Sequence, residues 1–193
     1  MFAYYTPLTH TSPEIITLEQ AKKQLKMEDL GTFDDDLIQD CIDAAIDEAE
    51  NYCNTAIRQV KYKVQMASWV NNFEFDKQKV AAIDQITYKD EAGDEQTLLE
   101  TSYQLLPKDK FASIIQFKDV NSLPKLQDNN TTAIAINITI GYPDSVGVPK
   151  AITQAIKLLI TDNYEYRGDR EKPLNTASRV KLEPYKYYTI PNG

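Results

Sequence analysis

The chain has 193 residues, of which 42% are hydrophobic and 26% charged, a balance that suits one folded core, or one core with an inserted lobe, and excludes global disorder. Its formal net charge of −8 opposes a general affinity for nucleic-acid backbone. No apolar run approaches the roughly 18 residues that a membrane-spanning helix needs.

The charge is uneven. Residues 1–53 hold 12 acids and 3 bases (net −9), residues 54–165 hold 14 and 12 (net −2), and residues 166–193 hold 3 and 6 (net +3). An acidic front and a basic tail attract each other, within one chain or between copies. The opening residues MFAYYTPLTH place no basic block before an apolar one, so no secretory signal is expected. The N-x-T triplets at Asn129, Asn130 and Asn137 then read as chance matches. Cys41 and Cys53 fall on one predicted helix, about 18 Å apart at 1.5 Å per residue, too far for a disulfide within the chain. They read as small core residues in a reducing compartment.

In chain order, residues 1–16 read as an extended arm, with Pro7 and Pro13 blocking helix. Thr17, with Gln20 three residues later, forms a capping-box pattern for a short helix over Leu18 to Leu25. Gly31 breaks the chain. Thr32 or Asp34 then caps the longest helix, Phe33 to Cys53, whose buried stripe is Ile38, Ile42, Ala45, Ile46, Ala49 and Cys53 at a 3.6-residue period. From Arg58 the period changes to two. Val60, Tyr62, Val64 and Met66 alternate, Phe73 and Phe75 repeat the pattern, and Lys79 to Lys89 is a further strand. Glu91-Ala92-Gly93-Asp94 makes a turn to a return segment at Gln96 to Leu99. Tyr103 to Leu106, Ser113 to Phe117 and Ala133 to Ile140 are the remaining strand segments, with a loop over 118–131. Pro149 opens a second long helix with a face of Ile152, Ala155, Ile156, Leu159 and Ile160, reaching about Tyr166. A short helix from Asn175 or Thr176 to Leu182 ends at Pro184.

The fold expected is α+β: a discontinuous helical domain of two long antiparallel helices and short ones, with an inserted small β-sandwich or barrel-like lobe of about six strands. The boundaries read as 1–57 (arm and helical domain, first part), 58–143 (β lobe) and 144–193 (helical domain, second part, and tail).

Few residues carry chemistry. His10, alone in a Pro-flanked arm, supports neither a histidine-pair metal site nor a Ser-His-Asp triad. The phosphate-binding and nucleophile-elbow patterns do not occur, and no cofactor or metal is expected. Asp36, Asp40, Asp43, Asp47 and Glu50 form a stripe along one helical face. It reads as a solvated surface, as a contact for a basic surface on another subunit, or as a divalent-ion site. The tail interleaves Arg167, Arg170, Lys172, Arg179, Lys181 and Lys186 with Tyr185, Tyr187 and Tyr188. That pattern suits a protein interface, a frayed terminus or a nucleic-acid contact, the last opposed by the overall charge. Trp69, Phe73 and Phe75 read as lobe core or as an exposed contact patch.

The assembled pattern resembles the head–tail connector (adaptor, or head-completion) proteins of long-tailed bacteriophages, in the larger subfamily with a β insertion. The resemblance runs through Ile16-Thr17-Leu18-Glu19-Gln20-Ala21-Lys22, Asp34-Asp35-Asp36-Leu37-Ile38, Ala49-Glu50-Asn51-Tyr52-Cys53-Asn54-Thr55-Ala56-Ile57, Ile86-Thr87-Tyr88, Gly141-Tyr142, Val148-Pro149, Tyr164-Glu165-Tyr166-Arg167 and Leu182-Glu183-Pro184-Tyr185. It implies a non-enzymatic virion protein at the head–tail junction, made in the host bacterial cytoplasm. Such a protein forms a homo-oligomeric, dodecameric ring on the portal protein and extends the DNA channel. It offers a surface to a downstream connector, stopper or tail protein, and DNA is only passing cargo. The family brings no catalytic residues. The expected portal or subunit interface is Arg167, Arg179, Lys181, Tyr185, Tyr187 and Tyr188, with Asp36, Asp40, Asp43 and Asp47 as the opposing charge. On this reading a chain lacking 179–193 folds but does not assemble. Two other classes remain: a module binding a polymer or ligand through Trp69, Phe73 and Phe75, and an acidic metal-dependent hydrolase.

Overall fold

A computed structural model describes residues 3–10, 14–27, 31–75, 80–108, 112–142, 145–166 and 176–188. The chain divides into two units: residues 1–11 with 58–141, and residues 12–57 with 142–193.

The second unit is helical. Thr17 caps α1 (Leu18–Leu25), its hydroxyl accepting from the Gln20 amide. Lys26 ends the helix in the left-handed conformation, and Lys22 then reaches across the following turn to the Gly31 carbonyl at 2.9 Å and to the Asp35 carboxylate. The longest helix, α2 (Asp35–Cys53), has Asp34 at its N-cap position, but the Asp34 carboxylate makes no cap bond. It accepts instead from the Tyr164 hydroxyl at 2.6 Å. Tyr164 lies near the C-terminal end of α3 (Lys150–Glu165), so the two long helices run antiparallel. Their facing stripes, from Ile38 to Cys53 and from Ile152 to Ile160, bury together with Ile15, Ile16, Ala21, Ile57, Val148 and Leu182 in one core. The last helix, α4 (Thr176–Leu182), packs on α3 and continues into a 3₁₀ turn over Glu183–Tyr185. The chain passages at Ile57 and Tyr142 are held side by side, with the Tyr142 amide donating to the Ile57 carbonyl at 3.1 Å.

The first unit contains two antiparallel sheets. The larger has the order β1 (Tyr4–His10), β2 (Val60–Met66), β8 (Ile134–Ile140), β4 (Val80–Lys89), β5 (Glu95–Thr97). The smaller has the order β3 (Asn72–Glu74), β7 (Ser113–Phe117), β6 (Tyr103–Pro107). The central strand β8 is paired on both edges, with Ile136 opposite Val64 on one side and Ile86 on the other. Its run of alternate isoleucines is buried, and so is Thr139 on the other face. The Thr139 hydroxyl donates to Asp84, which also pairs with Lys61 at 3.1 Å. At Gly141, just past β8, φ is +86°, and a Cβ there would stand 2.2 Å from the Arg58 carbonyl oxygen.

One expectation needs correction. The arm at 1–16 is no appendage of the helical domain: Tyr4–His10 pairs with β2, Tyr4 opposite Gln65, and groups with the β unit. Alternation of short apolar residues did not reveal this, because the pairing spans some sixty residues of chain. The lobe's seven strands besides the arm, among the described residues, fall on the seven segments read from the sequence.

Candidate assembly surface

The acidic stripe faces outward except at its C-terminal end, where the half-buried Glu50 accepts a hydrogen bond from the Ile57 amide at 2.8 Å. Asp36, Asp40, Asp43 and Asp47 are exposed on α2, while Ile38, Cys41, Ile42, Ala45 and Ile46 between them are buried. This follows directly from the helical period, which puts the carboxylates on the side away from α3. Among the described residues no group of three or more His, Cys, Asp or Glu side chains is placed to hold a metal ion.

The basic tail is not a free strand. At its root, Leu182 is 2% exposed and Ser178 is 1% exposed, so α4 is part of the helical core. Past it, Glu183 accepts hydrogen bonds from two tyrosine hydroxyls, Tyr52 at the end of α2 and Tyr188 in the tail. These bonds hold the Glu183 carboxyl below its ordinary value, Tyr188 contributing more than Tyr52, and they raise both phenols. The Lys186 ammonium lies 4.7 Å from the centre of the Tyr52 ring and 5.3 Å from that of Tyr188, and the Arg179 guanidinium lies 5.9 Å from Tyr52. The Tyr187 amide donates to the Cys53 carbonyl at 2.7 Å. The tail from Glu183 to Tyr188 is thereby clasped to the C-terminal end of α2. Tyr187 and Lys186 are half-buried in it, and Tyr188 remains exposed.

The clasp borders a groove of about 450 Å³ lined by Tyr52, Thr176, Arg179, Val180, Glu183 and Pro184. Arg179 and Val180 are exposed there, and Lys181 is held at 3.0 Å by Gln154 on α3. Beneath the clasp, burial pushes the Cys53 thiol up to about 11, and the thiol donates to the Leu182 carbonyl. Both cysteines are free and buried.

Of the interface residues expected from sequence, Arg179, Lys181, Tyr185, Tyr187 and Tyr188 fall on this one end of the helical unit. The four aspartates lie along α2, and Arg167 lies outside the described residues, as do Arg170 and Lys172. Sequence reasoning missed Tyr52 and Glu183, which organise the tail. A tyrosine in the last turn of a helix and a glutamate before a proline carry no signal that they meet across 131 residues. The truncation at 179 also needs moving, because it removes Leu182 from the core.

The aromatic patch of the lobe is a packing feature. Phe75 is fully buried and Phe73 is 9% exposed, their rings edge-on at 5.2 Å. Trp69 is half-buried between the sheets, edge-on to Tyr88 and Phe117, and its indole N–H donates to the Pro124 carbonyl at 2.9 Å. These rings are spent on the core of the β unit, which removes the ligand-binding reading built on them.

Residues 15–104 match the model of the phage gp6-like head–tail connector proteins, a span covering α1, α2 and the strands through the start of β6. The motifs from Gly141 to Tyr185 lie beyond that match. No curated protein matches the chain. Among solved structures, a chain in the neck of an empty gene transfer agent particle, computed with C6 symmetry, is 20% identical with a TM-score of 0.75. A chain of the native gene transfer agent virion is 19% identical with a TM-score of 0.72, and one in the native neck computed with C12 symmetry is 18% identical at 0.65. Each alignment covers 98% of this chain and 98% of the other. The chain thus carries the phage gp6-like head–tail connector pattern over residues 15–104 and, over nearly its whole length, the fold seen in gene-transfer-agent neck proteins.

Proposed function

We propose that the chain is a structural, non-enzymatic component of a virion head–tail junction. The observation that carries this reading is the connector pattern in residues 15–104 together with a neck-protein fold spanning 98% of the chain. In this role copies of the chain form a ring on a portal protein at the capsid vertex. The ring lengthens the DNA channel and offers its far side to the next connector or tail protein.

A ring requires a head-to-tail interface, in which one patch meets a different patch on the neighbour. The exposed aspartates of α2 and the basic surface of α4 are such a pair of unlike patches on one helical unit. The exposed Tyr188 ring and Arg179 suit the protein-facing side, since Tyr and Arg are enriched where interfaces bury surface. The net charge of −8 favours a channel lining along which DNA slides without adhering.

The test is electron microscopy of the chain mixed with the portal protein of the same particle. Rings on the portal are expected. A chain truncated after Tyr185 keeps Leu182 and the 3₁₀ turn, so it is expected to fold and to bind the portal poorly. Normal rings from that truncated chain would remove the tail from the interface, and no portal complex with the intact chain would remove the junction role.

A further inference from the structure

We propose that Phe33 of one copy seats in the groove beside Val180 of the next copy, making a knob-and-groove contact that sets the head-to-tail direction of assembly. This inference rests on the ring reading and identifies its contact.

Phe33 is 95% exposed at the N-terminal end of α2, an unusual position for a phenyl ring on a charged surface. The groove lies at the other end of the same helix, with Val180 72% exposed and Tyr52 and Pro184 as further apolar lining. An α2 of 19 residues separates the two ends by about 28 Å, so a copy cannot fill its own groove with its own Phe33. A volume of about 450 Å³ admits a phenyl ring, given that a cavity of about 150 Å³ takes up benzene. The surroundings are complementary in charge. Among the described residues, Asp34, Asp35 and Asp36 adjoin the knob, with Lys22 paired to Asp35, whereas Arg179 and Glu183 line the groove and the Lys186 ammonium lies over the Tyr52 ring beside it. Asp34 is engaged by Tyr164 and Asp35 by Lys22, which leaves exposed Asp36 to meet Arg179. Knob and groove differ, so the contact is heterologous and propagates around a ring.

Disulfide trapping with full-length chains tests this. Phe33→Cys is made with one affinity tag and Val180→Cys with another, and the two are mixed and oxidised. The native Cys41 and Cys53 are buried and do not compete. The expected result is a mixed dimer at least several-fold above both same-variant dimers, reduced by Asp36→Arg and restored when the Val180→Cys chain also carries Arg179→Glu. A statistical yield of mixed and same-variant dimers, or a preference for Phe33→Cys pairing with itself, overturns the proposal. If the unmodified chain still forms rings on its portal in that case, the contact is wrong and the ring reading stands. If neither rings nor trapped dimers form, both fall.

Discussion

Replacing Gly141 by alanine is expected to be the most damaging single methyl addition at any described glycine. Two costs combine there. At φ +86° an L-residue sits in the left-handed region, at about 1–2 kcal/mol. The new Cβ also stands 2.2 Å from the Arg58 carbonyl oxygen, far inside the roughly 3.5 Å at which non-bonded heavy atoms rest. The obstruction is main chain, so no side-chain rotation relieves it, and the backbone shift adds an overpacking cost of about 1–3 kcal/mol. The total is about 3 kcal/mol. At about 2–4 °C per kcal/mol for a chain of this size, the melting midpoint falls by about 6–12 °C. Gly31→Ala supplies the control: φ is +70°, but nothing lies within 4 Å, so only the conformational cost of about 1–2 kcal/mol remains. The assay is thermal melting followed by circular dichroism and by fluorescence of Trp69, the sole tryptophan, which sits in the same unit as Gly141. A Gly141→Ala chain that melts no lower than Gly31→Ala would refute the close approach and, with it, the placement of Arg58 against the end of β8.

Three further outcomes follow from the helical unit. The folded Glu183 carboxyl is held below its ordinary 4.5, so the clasp contributes fully above that value and is lost as pH falls through the lower, folded one. Proteolysis after Lys186 should therefore be slow near neutrality, accelerate in acid, and be fast at all pH values in Tyr52→Phe with Tyr188→Phe; protection that is indifferent to both changes would contradict the clasp. For Cys53 the sign is opposite. A thiol raised from 9.0 to about 11 on folding costs stability as pH climbs through that interval, and Cys53→Ala should flatten the fall seen in denaturant titrations between pH 8 and 11. An unchanged slope would show the thiol to be hydrated. Leu182→Ala, at a site 2% exposed, is expected to lose about 2–5 kcal/mol by urea unfolding, whereas truncation after Tyr185 loses far less; equal losses would mean that α4 is not core.

The parts of this fold that were legible in sequence are those whose signal is local. The Ile38-to-Cys53 stripe, the Thr17 cap and Pro149 before α3 each express a rule that acts within one or two turns, and the structure follows them closely. Outward placement of Asp36, Asp40, Asp43 and Asp47 comes with the stripe, because a helix that buries one face exposes the other. What was not legible depends on partners distant in sequence. The arm at Tyr4–His10 becomes a strand only because β2 presents it an open edge. Asp34 looks like a cap and has the position of one, yet its carboxylate goes to Tyr164, 130 residues away. The tail read as an interface, a frayed terminus or a nucleic-acid contact, since nothing near Glu183 announces that Tyr52 will share it. The basic and aromatic make-up of the tail was therefore legible in composition, but its geometry arises from long-range contacts.

The central claim is that this chain occupies a head–tail junction. Cryo-electron microscopy of particles from cells carrying the gene, beside particles from cells lacking it, tests that most directly. With the gene, a ring between portal and tail should be fitted by this fold through both units; without it, heads and tails should accumulate unjoined. Tailed particles that form normally without the gene, or a junction ring that another chain fits, would contradict the account.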